Sequence, residues 1–336
     1  MSRVLVSIIS KHTLPNLLLI KEMKGNFDEL AFITTPEVER MNTDVYMTKA
    51  LNVKEDYIAT LQVDGNDYHK TMEDLNRDWE ARPDDKYIVN ITGGTKIMSL
   101  AVHDFFSQFD SEFYYVPISQ NKYNNIVTGE WTPITYRASL KEYLTLYGLS
   151  FSSEDHLMRD ASYTYSQFQR VKNNNFRLTY LMRHAQEQES PEDKRYYGGT
   201  WFEEYTYLRL KKQYNLDDSM IARGVKISHS PNSVYNDNEL DVAFMLNNEL
   251  YVVECKVTMF GYGSDARETI DKYLYKLAAI SKDFGLNVNT FLFTLHDMNK
   301  FPEQARDNIS KRCRILGIKG IISSKELTEA TLSLKK

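Results

Sequence analysis

The feature that most constrains the fold is an alternation of short apolar runs with helical segments over residues 1–137. Strands that alternate with helices form a parallel sheet that is covered on both faces. We therefore predict an α/β domain with a hairpin at its end, at 121–137. The runs predicted as strands are residues 4–10, 29–35, 57–64, 86–92 and 112–118.

A region of different character follows. Apolar periodicity predicts a helix from Ser139, and the polar stretch 186–199 is interpreted as a linker. We predict three parts: residues 1–137, a helical bridge and linker at 138–195, and a second α/β domain at 196–336. The elements predicted in the second domain are a helix at 201–213, a hairpin at 239–258, a helix at 268–284, a strand at 288–295 and a strand near "KGIIS".

Composition limits the class of protein. A net charge of −5 argues against a surface that coats nucleic acid, although it allows a local cleft that handles phosphates. No apolar run reaches the length of a membrane span, and the N-terminal apolar segment is too short for a signal peptide. The 2 cysteines predict no disulfide framework, and the 7 histidines show no zinc-like spacing. These observations predict a cytoplasmic protein without a membrane partner.

The predicted hairpin brings charged residues to one face. Its turn is placed at Asn247-Asn248, since asparagine tolerates the positive φ that a two-residue turn needs. With that turn, Asp241 faces Glu254 and Glu239 faces Lys256. Two carboxylates that face each other repel, so the pair needs a compensating cation. A divalent ion with oxygen ligands, Mg²⁺ or Mn²⁺, would supply it.

A further acid lies on the preceding helix. Trp201 and Tyr205 share one apolar stripe, and Glu203 lies on the opposite stripe with Tyr207. We therefore expect Glu203, rather than its neighbour Glu204, to be pressed against the protein and to complete a metal site. A structural ion pair is the alternative for Glu203. On the helix after the hairpin, Lys272, Tyr275 and Lys276 are interpreted as a solvated face in preference to contacts with a phosphate backbone.

The first domain contains a glycine turn between a strand and a helix. In "NITGGTK", the two glycines allow a ligand to approach the backbone, and the helix presents free N–H groups to an anion. The turn matches neither phosphate-loop motif, so an ATPase or dinucleotide enzyme is not predicted. A second loop, with Ser10 and Lys11, follows the first strand, and both loops lie at the carboxyl ends of strands, where such sheets bind ligands. A purely structural turn remains the alternative.

The acids and the lysine resemble the motif of the PD-(D/E)xK nucleases. The resemblance rests on Glu203, Asp241 and "Glu254-Cys255-Lys256", in the order helix, hairpin, helix, although Leu240 stands where that motif has proline. It implies a restriction-endonuclease-like fold with catalytic Glu203, Asp241, Glu254 and Lys256. It also implies that the three acids and the Cys255 backbone carbonyl bind Mn²⁺ or Mg²⁺, and that the lysine positions the attacking water.

The glycine turn followed by such a domain resembles the CARF-domain nucleases of type III CRISPR antiviral defence. The resemblance implies a Rossmann-like, doubly wound CARF domain and a homodimer. It further implies that a cyclic oligoadenylate, with cyclic tetra-adenylate favoured, binds across the dimer and allosterically activates the nuclease. The ligand-binding residues would be Thr92, Gly93, Gly94, Thr95 and Lys96, with Ser10 and Lys11 as a second element.

The sequence thus predicts a homodimeric, ligand-activated, metal-dependent endonuclease that cleaves DNA, with RNA as the second substrate class. Two alternatives stay open: a constitutive restriction or repair nuclease, and a non-catalytic nucleotide sensor. The ring size of the activator, the preferred strand form and the fate of the bound activator are not fixed by these residues.

Overall fold

The structure is a computed structural model, and it describes residues 2–54, 58–80, 82, 84–154, 156–177, 183–229, 238–257, 266–285 and 288–334. Residues 57 and 258, at the ends of a predicted strand and of the predicted hairpin, lie outside this part. The chain divides into two compact units, Met1–Leu149 and Ser150–Lys336. The predicted bridge, 138–195, is thereby shared between the two units. Each unit is built around one sheet.

The first unit contains a seven-stranded sheet in the order β3-β2-β1-β4-β5-β6-β7. Strands β1 to β5 pair in parallel, and β6 and β7 add the antiparallel hairpin at the edge. All five strands and the hairpin predicted from the sequence are confirmed. The strands are β1 (Arg3–Ile8), β2 (Glu29–Thr34), β3 (Ile58–Gln62), β4 (Lys86–Asn90), β5 (Asp110–Tyr115), β6 (Lys122–Asn125) and β7 (Trp131–Pro133).

Helices cover both faces of this sheet. On β1, Leu5 packs into one apolar core while Val4 and Val6 pack into another, because successive side chains point to opposite faces. The chain order reverses between β1 and β4, which makes the carboxyl ends of these two strands the topological switch point. The helices are α1 (Leu14–Glu22), α2 (Pro36–Arg40), α3 (Thr43–Leu51), α4 (Tyr68–Asp78), α5 (Lys96–Phe106) and α6 (Leu140–Leu146).

The second unit contains a six-stranded mixed sheet in the order β13-β12-β11-β10-β9-β8. Strands β8 to β11 pair in antiparallel fashion, whereas β12 is parallel to both β11 and β13. The two units together confirm the predicted α/β fold class. The strands are β8 (Ser150–Ser152), β9 (Ile221–Ser228), β10 (Asn238–Leu246), β11 (Glu249–Lys256), β12 (Val288–Thr294) and β13 (Gly320–Ile322).

The helices of the second unit begin before the predicted domain limit. The polar stretch 186–199, interpreted as a linker, contains a short helix, and its Tyr196 is buried in the core of this unit. In the described part of the chain, no helix is long and apolar enough to cross a membrane. The helices are α7 (Ala161–Asn173), α8 (Pro191–Arg195), a π-helical turn (Tyr196–Thr200), α9 (Trp201–Tyr214), α10 (Ala266–Ser281), α11 (Glu303–Ile315) and α12 (Ser324–Leu327).

The hairpin of β10 and β11 has the predicted register. Asn247 and Asn248 adopt φ values of 53° and 62°, as a tight turn with two left-handed residues requires. Leu246 consequently pairs with Glu249, and Val242 pairs with Val253. A shift by one residue would have moved every charged side chain to the other face.

Candidate active site and ligand site

The acids of the hairpin meet around the ammonium group of Lys256. Its Nζ lies 3.3 Å from Asp241 Oδ2, 2.8 Å from Glu254 Oε1 and 3.0 Å from the Cys255 carbonyl oxygen. The backbone N–H of Cys255 donates a further hydrogen bond to Asp241 Oδ2, at 2.6 Å. The oxygen atoms of these three residues therefore surround one cation position.

Burial makes this cluster electrostatically strained. The side chains of Asp241 and Glu254 are only 12% and 2% exposed. Burial, followed by the charge of Glu254, raises the pKa of Asp241. Burial alone would lower the pKa of Lys256, but Asp241 and Glu254 outweigh it and raise that pKa. The acids thus require positive charge close by, and Lys256 supplies part of it.

Glu203 reaches the same cluster from the first turn of α9. Burial, and next the negative charge of Asp241, raise the pKa of Glu203 to about 7. The expectation that Glu203 is more buried than Glu204 is wrong, because Glu204 is fully buried and Glu203 is only partly so. The helix packs against α7 as well as against β9 and β10, so both of its faces are covered.

Glu204 belongs to a separate buried network. It accepts hydrogen bonds from the backbone N–H of Met158 at 2.6 Å and from Thr164 Oγ1 at 3.2 Å. The guanidinium of Arg223, which is only 2% exposed, lies 3.6 Å from Glu204 and also binds Glu154. This network fixes the turn of α9 that carries Glu203, and the sequence analysis did not predict it.

Lys276 contacts an acid of the cluster, and the sequence analysis did not predict this partner. Its Nζ lies 3.0 Å and 3.1 Å from the two carboxylate oxygens of Glu254. The side chain of Lys276 is 40% exposed, in agreement with the interpretation of a solvated face, but its ion pair with Glu254 was not predicted. Tyr275 and Lys272 are also exposed. Glu254 consequently binds two ammonium groups, one from its own strand and one from α10.

The donor set suits a small divalent cation. Asp241, Glu254 and the Cys255 carbonyl offer hard oxygen atoms, the type that Mg²⁺ and Mn²⁺ prefer. The position that these oxygens surround already holds a positive charge, the ammonium of Lys256. Within the described ranges, no three His, Cys, Asp or Glu side chains form a ready-made metal cluster. The residues therefore fit a metal held by two carboxylates and a carbonyl.

The glycine turn and the loop after β1 meet at the switch point of the first unit. A buried chain of hydrogen bonds joins the underlying strands: Asn16 Nδ2 donates to Ser7 Oγ at 2.9 Å, and Asn90 Nδ2 donates to the same oxygen at 3.1 Å. Thr92 Oγ1 then donates to Asn90 Oδ1 at 2.5 Å and accepts from the Val116 N–H at 2.9 Å. The ends of β1, β4 and β5 are thus held together directly below the predicted ligand site.

The two glycines are required by their surroundings. A Cβ on Gly93 would lie 2.1 Å from the Ile8 carbonyl oxygen and 3.3 Å from Ser10 Oγ, so Gly93 and Ser10 are neighbours. Gly94 adopts a φ of 79°, in the region that favours glycine.

The following residues begin α5 and face outward. Thr95 Oγ1 caps the helix by accepting the Met98 N–H at 3.1 Å. Gly94, Thr95, Lys96 and, on the other loop, Lys11 are exposed. The predicted ligand residues thus lie at the carboxyl ends of the central strands β1 and β4, beside the N-terminus of α5.

The fold is that of an α/β protein with two units, and the acid cluster lies in the second unit. The family model of the Card1 CARF domain matches residues 4–143, and the model of the Card1-like endonuclease domain matches residues 190–332. The chain therefore belongs to the CARF-domain nucleases with a Card1-like endonuclease domain.

Solved structures share this architecture over nearly the whole chain. Protein VC1899 from Vibrio cholerae is 17% identical, with a TM-score of 0.77 over 97% of this chain and 95% of that one. Can2 from Sulfobacillus thermosulfidooxidans, solved in complex with cyclic tetra-adenylate, is 23% identical, with a TM-score of 0.71 over 96% and 95%. A type III CRISPR defence DNA nuclease activated by cyclic oligoadenylate is 15% identical, with a TM-score of 0.57 over 93% and 52%. None of the curated proteins compared with the chain matches it.

Proposed function

We propose that the protein is a metal-dependent endonuclease, activated by a cyclic oligoadenylate, that cleaves DNA in type III CRISPR defence. RNA is the second substrate class, and cyclic tetra-adenylate is the favoured activator, as in the Can2 complex. The observation that carries the nuclease proposal is the convergence of Asp241, Glu254 and the Cys255 carbonyl on one cation position. In this proposal, residues 1–137 bind the activator, residues 138–195 connect the two domains, and residues 196–336 cleave the nucleic acid. The protein would act in the cytoplasm.

The residues of the site divide the work of phosphodiester hydrolysis. A divalent ion bound by Asp241, Glu254 and the Cys255 carbonyl, with Glu203 beside them, would lower the pKa of a bound water and neutralise phosphate charge. Lys256 remains charged at neutral pH, since Asp241 and Glu254 raise its pKa. It can therefore orient the attacking water and stabilise the charge that develops on the phosphate. Burial and Asp241 raise the pKa of Glu203 in the metal-free site, so a divalent ion bound beside it would favour the charged form of this acid.

The ligand site supports a homodimer. Around the loops of the switch point, large apolar side chains are exposed: Ile97 and Leu100 on α5 are 40% and 56% exposed, and Tyr115 and Ile118, at the end of β5 and beyond it, are 42% and 47% exposed. An apolar surface of this kind favours association with another protein surface. A second copy would place two matching sets of loops around a two-fold axis, which suits a ligand with rotational symmetry.

The test is a cleavage assay with purified protein and Mn²⁺. Supercoiled plasmid and labelled single strands of DNA and RNA are incubated with and without each cyclic oligoadenylate. We expect cleavage that requires both the metal and one ring size, and none by Asp241→Asn. Equal cleavage without the activator would favour a constitutive nuclease, and binding of the activator without cleavage of any substrate would favour a sensor.

A further inference from the structure

We infer that Lys276 acts as a built-in counter-cation that holds Glu254 until a divalent ion takes its place. The inference rests on the proposed metal site and adds to it a residue outside the acid and lysine motif. It predicts that the strength of metal binding depends on a helix that supplies none of the proposed metal ligands.

The geometry favours this role. Lys276 lies 22 residues after Glu254 in the chain, on α10, yet its Nζ contacts both carboxylate oxygens, at 3.0 Å and 3.1 Å. Both oxygens that could bind a metal are therefore engaged. Lys256 takes a third contact, 2.8 Å from Oε1.

The two lysines differ in how easily their ammonium groups can leave the carboxylate of Glu254. Lys256 contacts Asp241 and the Cys255 carbonyl as well, and its side chain is 22% exposed. The side chain of Lys276 is 40% exposed, so water can solvate its ammonium once it leaves the carboxylate. A divalent ion bound by Asp241, Glu254 and the Cys255 carbonyl would move the ammonium of Lys256 as well, but the contact of Lys276 is the one that it can displace at the lower cost.

Charge balance explains why such a residue is useful. Without a cation, the carboxylates of Glu254 and Asp241, whose side chains are only 2% and 12% exposed, would repel each other. A flexible ammonium neutralises this repulsion without closing the site, because a long lysine side chain can swing away. The consequence is a competition between Lys276 and the metal for the same two oxygen atoms.

The test measures Mn²⁺ binding directly, through the sharp EPR signal of free Mn²⁺, which is lost on binding. Lys276→Gln removes the competing charge, so we expect Mn²⁺ to bind about tenfold more tightly, which corresponds to about 1.4 kcal/mol. The same variant should melt about 2 °C lower in EDTA, because Glu254 then lacks one partner. Lys276→Arg keeps the charge and should keep the wild-type affinity.

Lys272→Gln is the matched control, since it removes an exposed charge one turn earlier on α10. It should leave both the Mn²⁺ affinity and the melting temperature near wild type. If Lys276→Gln binds Mn²⁺ as wild type does, or more weakly, the inference is wrong while the proposed nuclease stands. If the wild-type protein binds no Mn²⁺ and cleaves nothing, both fall.

Discussion

The carboxylate of Asp241 accepts the backbone N–H of Cys255, on the neighbouring strand, at 2.6 Å. This bond fixes the acid by backbone atoms of the very tripeptide that supplies Glu254 and Lys256. The relative position of the two acids is therefore set by strand pairing, which is more rigid than contacts between side chains.

Asp241→Asn should abolish cleavage and stabilise the metal-free protein. Burial and Glu254 raise the pKa of Asp241, so its charged form is disfavoured in the fold, and an amide oxygen can still accept the Cys255 N–H. Melting curves in EDTA should shift upward relative to wild type. A variant that keeps wild-type cleavage would refute the assignment of Asp241.

Glu254→Gln should also abolish cleavage, but with the opposite effect on stability. Glu254 binds the ammonium groups of Lys256 and Lys276, and a neutral amide would remove the ion pair with Lys276 and one of the two ion pairs of Lys256. The metal-free melting temperature should therefore fall. Equal shifts for the two variants would show that the lysines do not balance Glu254.

Lys256→Ala should reduce the rate of the chemical step by about 10²–10³. The variant should fold, because Lys276 still neutralises Glu254. Single-turnover kinetics at saturating substrate separate this effect from substrate affinity. An unchanged rate with weaker DNA binding would make Lys256 a backbone contact only.

Lys96→Glu should raise the concentration of activator needed for half-maximal cleavage by at least about tenfold. Lys96 is exposed at the start of α5, so the substitution adds a repulsive charge with little strain. Gly94→Val is less clean, since a Cβ there would lie 2.7 Å from Ile8 Cγ2 at a φ of 79°. Lys49→Glu, at the exposed end of α3, is the control, and an identical shift in that variant would refute a local role for Lys96.

Arg223→Met should destabilise the second unit by about 3–5 kcal/mol, because it leaves the buried Glu204 without its cation. Denaturant unfolding measures the loss. A stability close to wild type would show that Arg223 does not hold the network together.

Glu154 provides a pH-dependent test of the same network. Burial alone would raise the pKa of Glu154, but Arg223 and Arg195 outweigh it and lower that pKa below its ordinary value of 4.5. The stabilisation is therefore fully present above that value and is lost as the pH falls through the lowered pKa. Near neutral pH, the free energy of unfolding of wild type should exceed that of Glu154→Gln by about 1.5–3 kcal/mol. The difference should shrink in acid, and a constant gap would contradict the ion pair.

Patterns local to one element were sufficient for much of the fold. The asparagine turn sets the register of the β10–β11 hairpin, so the proximity of Asp241 and Glu254 followed from counting residues. Alternation of strands and helices likewise predicted the sheet of the first unit, because its central strands β1, β2 and β4 bury both of their faces.

Local patterns could not predict contacts between elements that are distant in the chain. The phase of α10 relative to β11 decides that Lys276, and not Lys272, reaches Glu254, and no local periodicity encodes that phase. The predicted relative burial of Glu203 and Glu204 was wrong for a related reason. Helix α9 is covered on two sides, so its apolar stripe does not identify a single buried face.

The close approach of Gly93 to Ile8 has a mechanical consequence. With no side chain at Gly93, the turn after β4 rests directly on the last residue of β1, and the Ser7 hydroxyl ties Asn90 to Asn16 beneath it. The backbones of the two loops are in direct contact, so a displacement of one loop requires a displacement of the other. A molecule that binds to either loop therefore contacts a structure that is shared by two central strands. A displacement of that loop would move β1 and β4 together.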